Sequence, residues 1–252
     1  MKIKEETLAI LSKLEFEGNH ARIVEQLDRK TYVAVNKVLM AAGGKWNRKA
    51  KAHVFPFDAA ETIDNVILTG EVTTNREIGF FPTPTKIAKD LVAMGGVEEG
   101  DVVLEPSAGT GMIIDALLEV GAQVNAVEVD VAMQQQLREK YGSDIRFLSE
   151  DFMTCPPDFP CDKVIMNPPF AKTKGHDCLD HVQHAWGFLR EGGTLVSVLP
   201  SGVEFRQDKR HVAFRAWVEE KGGEMTSLPA LSFRPSGTDV STLVLRMRKG
   251  AA

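Results

Sequence analysis

The chain has 252 residues, long enough for one substantial domain plus a small second one. Its composition, 43% hydrophobic and 26% charged, is that of an ordinary soluble globular protein, and no apolar run approaches the ~18 residues a membrane span requires. The N-terminus lacks a signal-peptide pattern, and three cysteines without metal-ligand spacing imply reduced thiols, so the expected compartment is cytoplasmic and no metal is expected.

In chain order, Glu5 to Leu14, Ala21 to Leu27 and Tyr32 to Ala41 show helical spacing, and the third helix stops at Gly43-Gly44. Lys45 to Lys51 leads into an extended Val54-Phe55-Pro56-Phe57, and Ala59 to Leu68 reads as a helix capped by Asp58. Turn-forming residues from Thr69 to Asn75 place a boundary near residue 75, leaving a small, mostly helical N-terminal domain over 1–75 and a larger domain over 76–252. The net charge of −5 hides a basic window: Arg29 to His53 holds seven Lys/Arg and no acid. Lys45, Trp46, Arg48, Lys49 and Lys51 are therefore candidates for nucleic-acid contact, combining phosphate neutralisation with stacking. Equally, Trp46 could pack in a small core beneath solvated lysines.

In the larger domain, strand Asp101 to Glu105 is followed by Pro106-Ser107-Ala108-Gly109-Thr110-Gly111 and an apolar helix through about Val120. A glycine turn between strand and helix lets the backbone approach a ligand at the helix N-terminus. Strand Gln123 to Val127 ends in Glu128, where an acid reaches a ribose diol, and Ile145 to Leu148 is followed by Asp151-Phe152, a carboxylate and a ring suited to a purine. Singly, either acid reads as a helix cap or a solvated charge. Strand Asp162 to Met166 then empties into Asn167-Pro168-Pro169-Phe170. The Asn167 side-chain oxygen and the Pro168 carbonyl can each accept one N–H of a conjugated amine, freeing its lone pair, while Phe170 offers a stacking face. Three ligand-shaped strand ends in register with this loop favour the functional reading over a plain turn.

On these residues, Phe81-Pro82-Thr83-Pro84, Leu104 to Gly111, Glu128, Asp151-Phe152 and Asn167 to Phe170, the chain resembles class I S-adenosylmethionine-dependent amino-methyltransferases over roughly residues 76 to 248. Their order is similar to the gamma arrangement of the DNA adenine N6 branch. The resemblance implies a Rossmann-like α/β fold, a seven-stranded doubly wound sheet of order 3-2-1-4-5-7-6 with the last strand antiparallel. It implies S-adenosylmethionine as cofactor, with Glu105 on the methionine amine and Thr83 on its carboxylate. Phe81 and the backbone of Ala108, Gly109 and Gly111 lie along the cofactor, Glu128 takes the ribose and Asp151 and Phe152 the adenine. Asn167, also against the cofactor, and Pro168 polarise the target amine, with Phe170 stacking on the target base.

Helix Asp177 to Leu189, strand Gly193 to Leu199, helix Val212 to Glu220 and strands Met225 to Leu231 and Val240 to Arg248 complete the sheet. Lys172 and Lys174, in a segment placed to fold over a base, and Arg206, Arg210 and Arg234, in loops at the carboxyl edge, are candidate phosphate contacts that could equally do nothing. The expected substrate is adenine in DNA, read over a short or relaxed sequence because no large recognition domain follows the last strand. RNA amine methylation and, less favoured, glutamine methylation in a protein are the alternatives. Oligomeric state is left open between monomer and homodimer.

Overall fold

A computed structural model describes residues 2–55, 58–72, 81–170, 175–236, 238 and 240–250, and the chain forms two compact units, Met1–Ile78 and Gly79–Ala252. No helix among the described residues is long and apolar enough to cross a membrane.

The first unit runs α1 (Glu5–Leu11), β1 (Glu15–Glu17), β2 (His20–Arg22), α2 (Arg29–Ala41), β3 (Lys45–Asn47), β4 (Ala52–Val54) and α3 (Ala59–Thr69). Helices hold most of its ordered residues, yet they pack on a four-stranded antiparallel sheet of order β1-β2-β4-β3 that the sequence reading does not anticipate. The helix expected over Ala21 to Leu27 is corrected. Gly18, at φ +54°, and Asn19 make a two-residue hairpin turn that pairs Glu17 with His20, so residues 20–22 extend as strand. Leu11, Val35, Leu39, Phe55 and Ile63 form the core of this unit. Helix α2 starts where the Asp28 carboxylate accepts the Lys30 and Thr31 N–H groups. Between β3 and β4, the Asn47 side-chain oxygen accepts the Lys49 and Ala50 N–H groups, and Lys51 closes the turn at φ +49°. Pro56 and Phe57, expected to extend that strand, lie outside the described residues.

The second unit begins with α4 (Thr85–Gly95), followed by β5 (Val102–Glu105), α5 (Met112–Val120), β6 (Gln123–Val127), α6 (Val131–Tyr141) and β7 (Ile145–Ser149). After β8 (Cys161–Met166) come α7 (Cys178–Phe188), β9 (Leu189–Pro200), the short α8 (Gly202–Phe205), α9 (Lys209–Glu220), β10 (Glu224–Ser227) and β11 (Thr242–Arg248). The sheet order is β7-β6-β5-β8-β9-β11-β10, the expected 3-2-1-4-5-7-6; β5 to β9 are parallel and β11 is antiparallel to both neighbours.

Alternation along the strands sends side chains to two cores. Val103, Ile165, Val196 and Val244 meet α4, α5 and α6 on one face, while Leu104, Val164, Leu195 and Leu245 meet α7 and α9 on the other. Cys155, Cys161 and Cys178 are buried and unpaired. Because α5 covers one face and α7 the other, the chain switches direction between neighbouring β5 and β8, and a crevice opens at their carboxyl ends. Glu105 and Asn167 stand at those ends.

Candidate active site

The glycine turn is built by three locally unusual features. The Ala108 N–H donates to the Val127 carbonyl (3.0 Å), which ties the turn to the end of β6. Gly109 and Gly111 take φ values of +52° and +79°, a region side chains disfavour. The Gly109 N–H donates to Glu128 Oε2 (2.6 Å), while Oε1 of the same carboxylate accepts the Asp130 N–H (2.8 Å). Glu128 thus braces the turn, keeping lone pairs on both oxygens for further donors. Burial pushes its pKa up, opposed by those backbone bonds.

Glu105 is 1% exposed. One oxygen accepts the Ser107 N–H (3.1 Å), and Oε2 is buried without a partner. Burial, helped by the nearby Glu128, raises its pKa to about 8, so at neutral pH it carries a proton in the absence of a cation. A bare, buried carboxyl oxygen of this kind fits an ammonium group, and Glu128 fits a diol; together the strand ends can hold a cationic nucleoside.

Asn167 is fixed from the opposite side. Its Nδ2 donates to the Phe81 carbonyl (2.9 Å) and to Thr83 Oγ1 (3.1 Å). A carbonyl can only accept, so the amide nitrogen must face Phe81 and the amide oxygen must face away. That oxygen is buried and has no partner. The Phe81 and Phe170 rings approach to 5.7 Å between centroids, tilted by 48°. Sequence positions 81–84 and 167–170, more than 80 residues apart, therefore share one wall. Ser236, on the loop between β10 and β11, donates its hydroxyl to the Pro82 carbonyl and holds the same wall from a third segment.

Two expectations about side chains are corrected. Phe152 is 3% exposed, with its ring among His181, His184 and Phe188, so it belongs to the core under β7 instead of covering a base. Asp151 accepts the Met153 N–H (3.0 Å) and so caps the 3-10 turn at Phe152–Thr154, which carries Phe152 inward. Arg210 is not held out toward a phosphate. Its Nη2 lies 2.6 Å from Asp177 and 2.7 Å from Asp180, the two carboxylates of the capping box that starts α7. Arg206 and Arg234 are exposed, as are Lys45, Trp46, Arg48, Lys49 and Lys51 in the first unit; Lys172 and Lys174 lie outside the described residues.

Sequence reasoning missed Tyr141. Its hydroxyl reaches the Gly111 carbonyl and Asp115 Oδ1, both at 2.8 Å, from the last residue of α6. No local pattern announces a contact 30 residues away.

The methyltransferase small domain profile matches residues 91–221, just over half of the chain. A chloroplastic ribosomal RNA small subunit methyltransferase of Arabidopsis thaliana is 35% identical over 102 residues, 33% of this chain and 30% of that protein. The tRNA (guanine(10)-N2)-dimethyltransferase of Methanothermobacter thermautotrophicus is 29% identical over 134 residues, 48% of this chain and 40% of that protein. The chain thus spans less than half the length of either relative. Among solved structures, a Listeria monocytogenes protein assigned to the class I S-adenosylmethionine-dependent methyltransferases superposes with a TM-score of 0.55, at 14% identity, over 98% of this chain and 80% of that one, a likeness of fold. With the profile, the sheet order and the glycine turn in agreement, the chain belongs to the methyltransferase small domain family.

Proposed function

We propose that the chain methylates an exocyclic amine of a nucleobase in RNA. The carrying observation is the Asn167 amide oxygen, buried, unpartnered and oriented by the Phe81 carbonyl and the Thr83 hydroxyl. An amine N–H is the ligand such an acceptor takes, and accepting it draws the nitrogen lone pair out of conjugation. The Pro168 carbonyl takes the second N–H, and Phe170 stacks on the base.

S-adenosylmethionine, when bound, supplies an electrophilic methyl group on a sulfonium. On this reading Glu105 takes the methionine ammonium and Glu128 the ribose hydroxyls. Thr83, whose oxygen accepts from Asn167, keeps its own proton for the methionine carboxylate. Phe81, Ala108, Gly109 and Gly111 line the cofactor, and Asp151 with the backbone at Phe152 meets its adenine. Catalysis is then alignment and electrostatics, with no covalent intermediate on the protein.

RNA is favoured because the relatives named above are ribosomal RNA and transfer RNA methyltransferases, one of them acting on a guanine N2 amine. DNA adenine N6 methylation is the second reading, supported by the Phe81 to Pro84 segment standing against Asn167, as its resemblance to the gamma arrangement implies. The test is incubation with methyl-labelled cofactor and total RNA or genomic DNA, followed by nucleoside mass analysis. Labelled N-methyl adenine or guanine from RNA is the expected result. Label confined to DNA adenine transfers the case to the second reading, and label in neither, with the cofactor bound, defeats both.

A further inference from the structure

We infer that α2 and the β3–β4 hairpin of the first unit form a binding surface for single-stranded RNA, with Trp46 as its base-stacking ring. The choice of RNA rests on the substrate proposed above; the surface itself is argued from geometry.

Trp46 sits in the middle of β3, an edge strand whose three residues all face solvent, and is 51% exposed. Lysines on an edge strand are readily explained as protection against strand addition. A tryptophan there works against that protection, so edge defence accounts for the charges and leaves the ring unexplained.

The ring is also held in place. It lies 5.2 Å from the His53 ring at 60°. His53 is fully buried, and its Nε2 pairs with Asn36 Oδ1 at 2.8 Å; Asn36 in turn donates its amide to the Met40 sulfur (3.4 Å). Because the Asn36 oxygen accepts, His53 Nε2 carries the proton, and α2 is bonded to the strand that backs Trp46. Such a support limits the ordering penalty of presenting an aromatic to a ligand.

Exposed on the same two elements are Val33, Lys37 and Met40 of α2 and Arg48, Lys49 and Lys51 of the hairpin. The ion pairs described in this unit, Lys13–Glu25 and Arg22–Glu17, engage none of these four cations. The Asn47 turn and the left-handed Lys51 give the hairpin loop one defined shape. An exposed flat ring on a hairpin rich in cations is an arrangement that grips unpaired bases and their phosphates, whereas a duplex hides its base faces.

Fluorescence anisotropy of the full chain with a labelled single strand of about 20 nucleotides tests this, beside its duplex and a DNA strand of the same sequence. Trp46→Ala should weaken RNA binding about tenfold, Trp46→Tyr should stay within about threefold, and Lys49→Glu with Lys51→Glu should flatten the salt dependence. Wild-type affinity in Trp46→Ala, equal binding of the duplex, or tighter binding of DNA than of RNA would each overturn the proposal. Methyl transfer by the wild type is read separately. Trp46-dependent binding without transfer defeats the proposed reaction and keeps the surface; transfer with Trp46-independent binding does the reverse.

Discussion

The Tyr141 hydroxyl lies 2.8 Å from the Gly111 carbonyl, so the last residue of α6 holds the glycine turn from behind. A phenol has one proton for two acceptors here, Gly111 and Asp115, and burial together with Asp115 raises its pKa, keeping it protonated. Tyr141→Phe should remove roughly 0.5–1.5 kcal/mol, raising the cofactor Kd about two- to tenfold with kcat little changed. Gly111→Ala should be far worse, because the added carbon meets both a φ of +79° and the Tyr141 side chain. Calorimetric titration of cofactor into each variant decides; a wild-type Kd in Tyr141→Phe would mean the turn is held by other contacts.

Asn167→Ala should lower kcat by about 100- to 1000-fold, the usual loss for an oriented polar group acting on the reacting centre. Cofactor affinity should change only a few-fold. Asn167→Asp should be no better, since a carboxylate cannot donate to the Phe81 carbonyl that sets the orientation. Single-turnover methylation beside equilibrium cofactor binding separates the two quantities.

On the proposed reading, Glu105 links cofactor binding to pH. Its folded-state pKa of about 8 lies above the ordinary 4.5, so between those values the folded chain keeps a proton that the unfolded chain releases. Stability from this group is therefore full below about pH 4.5 and lost as pH rises toward 8. Glu105→Gln should narrow the Tm difference between pH 5 and pH 8 while abolishing tight cofactor binding. An ammonium placed against Glu105 favours its ionised form, so wild-type binding near pH 7 should release about one proton, measurable by calorimetry in buffers of different ionisation enthalpy. No proton release would mean that the carboxyl is already ionised.

Arg210→Ala should lower Tm by a few degrees and leave the salt dependence of RNA binding unchanged. The side chain is 37% exposed, so solvent screening limits each of its two ion pairs to about 1 kcal/mol or less. A reduced salt slope would return Arg210 to the phosphate-contacting residues.

Features set by neighbouring residues were legible in the sequence. The strand, glycine turn and helix from Val102 to Val120, and the strand before Asn167, follow from local apolar runs and glycine placement. The sheet order came from the family resemblance, because a crossover leaves little local trace. Strand β2 reads as the start of a helix because the periodicity of Ala21 to Leu27 outweighs a two-residue turn at Gly18-Asn19. Arg210 with Asp177, Tyr141 with Gly111 and Ser236 with Pro82 stayed invisible for one reason: each joins elements separated by 30 to 154 residues. Phe152 was placed correctly on its loop but on the wrong side of it, a matter decided by the Asp151 cap.

The three interior thiols make the second unit its own conformational probe. Burial pushes Cys161 and Cys178 up to about 12 and raises Cys155, so in the closed fold none offers a thiolate to an alkylating reagent. Iodoacetamide capture at each sulfur then clocks how often its neighbourhood opens. Cys178 begins the helix that follows Asn167 to Phe170, so its capture rate with and without cofactor measures whether binding quiets that helix.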